Sequence, residues 1–126
     1  MIRFFVLLLL TACIGASPAK AISGNDVLTS CETLLRDMQP VGTNGVRFTR
    51  DGEMCWWYIT ALMDAASFGD GQQRPVLKVC PPKDSNQLQL IRIYVNYARQ
   101  NPAHLHHPGI VVAQWALYQV FPCPDR

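Results

Sequence analysis

Hydrophobic positions recur at helical spacing in four stretches of the chain. In the first, Val27, Leu28, Cys31, Leu34 and Leu35 fall on one face. Ser23 or Asn25 stands where the free N–H groups of a helix start need an acceptor, and the helix ends before Pro40. Residues 40–52 hold Gly42, Asn44, Gly45 and Gly52 among alternating charges, which reads as a loop with room for a tight turn. From residue 53 to 68 the sequence is apolar almost all round, with Met54, Trp56, Tyr58, Ile59, Leu62, Met63 and Ala66. That is how a helix buried on several sides looks. Its polar positions Glu53, Thr60, Asp64 and Ser67 share one stripe, and Trp57 sits on that stripe. Trp57 is therefore expected outside the core, either beneath the preceding loop or as an anchor for a partner or a second copy.

Gly69, Gly71 and Pro75 mark a second loop, and Cys80-Pro81-Pro82 leads into the third helix. Asp84 with Gln87 three positions later has the spacing of a capping box. Leu88, Ile91, Tyr94, Val95 and Ala98 form the apolar face of this helix, and Gln89, Arg92, Asn96 and Arg99 its solvated one. Asn101-Pro102 ends it, because proline disfavours helical geometry in the residue before it. Pro108 suits the first turn of a fourth helix, expected to be mostly buried, which carries Ile110, Val111, Ala113, Trp115, Leu117, Tyr118, Val120 and Phe121. No internal repeat or second domain boundary interrupts this series. The expected fold is all-α, a small four-helix domain around one core.

Cysteine positions sharpen that frame. A short connection makes the third and fourth helices antiparallel neighbours, which brings Cys80 beside Cys123; Cys31 and Cys55 are left to tie the first helix to the second. Two disulfides are thus expected, Cys31–Cys55 and Cys80–Cys123. Zinc ligation would need closer pairs than these four residues provide.

The N-terminus predicts export. Arg3 precedes an apolar run at residues 4–10, small residues follow, and Ala19-Lys20-Ala21 has the A-x-A form of a signal-peptidase site. Residues 1–21 read as a signal peptide and residues 22–126 as the mature domain. The run is too short to span a bilayer, which takes about 20 apolar residues. Leu10-Thr11-Ala12-Cys13 also resembles a lipoprotein processing site, and lipidation of Cys13 would tether the domain to a membrane. Either route leads out of the cytoplasm, to the periplasm. Loss of Arg3 and Lys20 leaves nine basic residues of eleven, against nine acidic ones. A neutral domain without a basic run lacks the electrostatic footprint of nucleic-acid binding.

Little in the chain points to catalysis. His104, His106 and His107 are close enough to interest a metal ion, yet no carboxylate lies within ten residues of the group. A turn in which one histidine caps, one packs and one is solvated explains the same residues, and no metal or cofactor is expected. Asp64 on a nearly apolar helix would have the raised pKa of a catalytic acid if it were buried, but a polar seam with Thr60 and Ser67 accounts for it. Neither G-x-S-x-G, H-E-x-x-H nor a phosphate-binding glycine loop occurs. The chain reads as a binding protein with no catalytic residues.

Taken together, the residues resemble the Rap/Tai family of type VI secretion amidase immunity proteins. The resemblance rests on Cys80-Pro81, Gln87, Tyr97, Asn101-Pro102, Leu105-His106 and Phe121-Pro122-Cys123, with Gly24, Leu28, Cys31, Cys55, Tyr58, Ile59 and Asp64 upstream. Trp56-Trp57 and the long loop at residues 69–79 depart from the pattern. What the resemblance implies is a small, often dimeric periplasmic helical protein that binds and occludes a peptidoglycan amidase toxin. Loops carried on a rigid scaffold are the expected contact. Position nominates the corner at residues 100–107, with Gln100, Asn101 and His104, then the loop at residues 69–79; Trp57 is a further partner-binding candidate. A periplasmic acid-stress chaperone or an envelope assembly factor is the alternative.

Overall fold

The computed structural model describes residues 19–43, 45–69 and 74–124. The apolar run at residues 4–10 and Cys13 lie outside them, as do Asn44 and residues 70–73 of the second loop. Four α-helices and a small β-hairpin make up the described fold. It is mostly helical but not strictly all-α.

Helix α1 (Gly24–Asp37) begins at Ser23, whose hydroxyl accepts from the Asp26 N–H while the Asp26 carboxylate accepts from the Ser23 N–H. These bonds satisfy donors that a helix start leaves free, and those from Ser23 hold the Asp26 carboxyl below its ordinary pKa. Val27, Cys31 and Leu34 are buried along the face expected from their spacing.

Residues 40–43 and 45–52 hold more regular structure than a loop. Strands β1 (Gln39–Val41) and β2 (Gly45–Arg47) pair antiparallel, with Gln39 opposite Arg47 and Val41 opposite Gly45. Gly42 makes the reversal possible by adopting a φ of 64°, a region that glycine enters without a Cβ clash. Both strands are short and largely exposed, so they lack the alternating apolar pattern by which strands are read from sequence.

Helix α2 (Arg50–Ser67) starts three residues earlier than its apolar run suggests, with Thr49 as its cap residue. Gly52 therefore belongs to the helix and is buried at its crossing with α1. A Cβ there would lie 2.9 Å from the Cα of Leu34, a backbone atom unable to move aside cheaply. The Cys31–Cys55 disulfide locks the same crossing.

Helix α3 (Gln87–Gln100) is capped by Asn86, whose side chain accepts from the Gln89 N–H at 2.8 Å, so the expected Asp84 and Gln87 capping box does not form. Gln87 is directed elsewhere. Its amide donates to the Trp56 carbonyl at 2.9 Å and to Thr60 Oγ1 at 2.8 Å, stitching the start of α3 to the middle of α2. A short 3₁₀ turn (Pro102–His104) leads to α4 (Gly109–Val120), preceded by Pro108. The end of α4 returns to the start of α3 through the Cys80–Cys123 disulfide, flanked by hydrogen bonds from Cys80 N–H to the Phe121 carbonyl and from Cys123 N–H to the Lys78 carbonyl.

Core residues from all four helices meet around Tyr94, which is fully buried and donates its hydroxyl to the Gly24 carbonyl at 2.8 Å. Helix α4 is less buried than its composition suggests: Val112, Ala113, Ala116 and Leu117 face inward, while Ile110, Tyr118 and Val120 are exposed. Among the described residues, every buried side-chain nitrogen or oxygen has a hydrogen-bond partner, as native interiors require.

Candidate partner-binding surfaces

The corner between α3 and α4 is a built structure with few free side chains. Asn101 ends α3, and its side-chain amide donates to the Tyr97 carbonyl at 2.8 Å. His104 Nδ1 lies 2.9 Å from the Tyr97 hydroxyl, and its ring packs 5.0 Å from that of Trp115. His107 meets Trp115 edge-on at 5.2 Å and also stands 4.0 Å from the exposed His106.

Backbone bonds anchor the same corner to the start of α1. Gly24 N–H donates to the His107 carbonyl, Asn25 N–H to that of Leu105, and Gly109 N–H to that of Ile22. One histidine therefore holds a hydrogen bond, a second packs and a third faces solvent. Among the described residues no group of three His, Cys, Asp or Glu is placed to hold a metal ion.

Of the three corner candidates, Gln100 alone is exposed. It lines a groove of about 190 Å³ between α3 and α4, together with Ile93, Asn96, Tyr97, Ala116, Gln119 and Val120. Three carboxamides and no charged group line this groove, so it offers paired donors and acceptors over an apolar floor. Burial pushes the Tyr97 hydroxyl pKa above its ordinary value. A wider hollow of about 490 Å³ separates α1 from the start of α2, lined by Asp26, Thr29, Thr33, Arg50, Asp51 and Met54 with Ser30 at its base.

Trp57 occupies a different side of the molecule. The preceding segment covers its neighbour instead, Phe48 stacking on Trp56 with ring centroids 5.2 Å apart, and Trp57 is left 62% exposed. Phe68 and Val76 are also exposed, at 69% and 61%. The signal for Phe68 was present in the sequence, since it falls on the same helical face as Trp57; its place just before Gly69 made it look like the end of the apolar run. Asp64 is exposed and belongs to no buried polar seam: its backbone carbonyl accepts from Ser67, and Thr60 turns toward Gln87.

No helix among the described residues is long and apolar enough to cross a membrane. Comparison with curated proteins and with solved structures gives no match. The Rap1a immunity proteins match over residues 23–123, a span reaching from the cap of α1 to the last cysteine and including both disulfides and the whole α3–α4 corner. The chain belongs to the Rap1a immunity protein family.

Proposed function

We propose that this protein is an exported immunity protein that binds a peptidoglycan amidase delivered by type VI secretion and occludes its active cleft in the periplasm. Membership of an immunity family carries the reading, since such a protein has a secreted effector as its partner. Two features of the chain support the compartment. Its N-terminus reads as an export signal, and paired cysteines suit an oxidising environment. Peptidoglycan lies in that compartment, where a producing cell would need the protection.

Occlusion asks no chemistry of the inhibitor. It needs a surface that loses little freedom on binding, and four helices tied by two disulfides supply one. Gln100 and Trp57 are exposed on that frame and available as contacts. Asn101 and His104 act through the shape they give the corner.

Calorimetric titration of the mature domain, residues 22–126, against the product of the gene beside its own, produced as an exported protein, tests the proposal. Saturable binding accompanied by loss of peptidoglycan cleavage is the expected result. Absence of binding would remove amidase immunity and leave the chaperone and assembly-factor readings.

A further inference from the structure

We infer that the outer face of α2, centred on Trp57, docks a protein surface that presents basic side chains around an apolar patch. The inference deepens the proposed function and rests on it for the identity of the partner. Trp57, Phe68 and Val76 are the most exposed large apolar side chains among the described residues, and they lie on one side of the molecule. Trp57 and Phe68 share a helical face about three turns apart, roughly 16 Å along the axis, with the small exposed Ala61 between them. Val76 joins the end of this stripe because its N–H donates to the Phe68 carbonyl at 3.1 Å.

Charge selects the partner. Glu53, one turn before Trp57, and Asp64, two turns after it, are both exposed on the same face. Among the described residues neither forms an ion pair, whereas Glu32 on α1 is held by Arg99 at 2.8 Å. Arg50 stands a further turn beyond Glu53, at the end of the stripe. Two unengaged carboxylates bracketing an indole suit an arginine or lysine laid over the ring, where the quadrupole and the carboxylates attract the same cation.

Surface plasmon resonance of the full mature chain against the amidase that the titration above identifies as its partner tests this. Trp57→Ala, at an exposed site, is expected to weaken binding roughly tenfold or more. The pair Glu53→Gln with Asp64→Gln is expected to slow association at low salt, with the difference fading as salt screens the charges. Gln89→Ala, on the solvated face of α3, is expected to leave affinity within about twofold. Equal affinity of Trp57→Ala and wild type would overturn the inference while leaving immunity intact.

Should wild type not bind the amidase, the proposed function fails and the face is tested directly. An amphipathic Leu/Arg helical peptide, its Leu/Glu counterpart and phosphatidylglycerol vesicles are the probes. Saturable binding of the Leu/Arg peptide alone, lost in Trp57→Ala, would uphold the docking chemistry. Binding of none, equal binding of both peptides, or binding of vesicles would overturn it. So would self-association in sedimentation that Trp57→Ala abolishes, since the face would then belong to a second copy.

Discussion

The Ser30 hydroxyl of α1 sits between two backbone groups at the start of α2, donating to the Asp51 carbonyl at 2.6 Å and accepting from the Cys55 N–H at 3.0 Å. Asp51 and Cys55 are four residues apart, the spacing that an α-helix closes with its own bond. Ser30 is 6% exposed and lies beside the Cys31–Cys55 disulfide. Replacing it by alanine strands two polar groups at a buried crossing. Ser30→Ala is expected to lower stability by about 1–3 kcal/mol in urea unfolding; a change below about 0.5 kcal/mol would show that α2 closes its own bond without help.

The crossing of α1 and α2 also depends on Gly52. Because the added methyl of Gly52→Ala would press on the Leu34 backbone at 2.9 Å, the helices must separate. Overpacking of this kind costs about 1–3 kcal/mol. A lowered melting temperature is the expected outcome, and an unchanged one would mean that the helices shift without strain.

Removal of Cys80 and Cys123 together by alanine is expected to cost about 2–4 kcal/mol. The bridge holds the Val79 and Pro122 segments side by side at the foot of α3 and α4. Non-reducing peptide mapping of the wild-type protein is expected to recover Cys31 with Cys55. A peptide joining Cys31 to Cys80 would contradict the fold.

Alkaline pH is expected to weaken the protein through Tyr94. Burial raises its pKa well above 10.0, and the nearby Tyr58 adds to the effect. Between the unfolded value and this raised one, the folded chain keeps a proton that the unfolded chain gives up. The stabilisation is thus complete below pH about 10 and declines as pH rises further. Thermal melts from pH 8 to 11 are expected to show that decline, and Tyr94→Phe to flatten it while lowering stability at neutral pH, because the Gly24 carbonyl loses its donor. An equally steep decline in Tyr94→Phe would place the titration elsewhere.

Much of the helical frame was legible in the residues themselves. The faces of α1 and α3 follow from apolar spacing, because a helix brings positions three and four apart to one side whatever surrounds it. Cap chemistry at Ser23 is equally local. The disulfide pairs followed from one additional step, the antiparallel return that a short connection enforces between α3 and α4.

Other features depend on atoms distant in sequence. The hairpin of β1 and β2 carries no apolar alternation, and its pairing is made by backbone groups that any residue possesses. Gln87 looked like a capping residue, yet Trp56 and Thr60 offered it acceptors that only the packing of α2 against α3 brings within reach. Neighbouring tryptophans had similar prospects until Phe48 stacked on Trp56, leaving Trp57 in solvent. Periodicity by itself determined which face of α1 and of α3 is apolar, because that is a property of one turn. Which apolar residues remain uncovered was decided by the tertiary structure, because burial requires a second element to arrive.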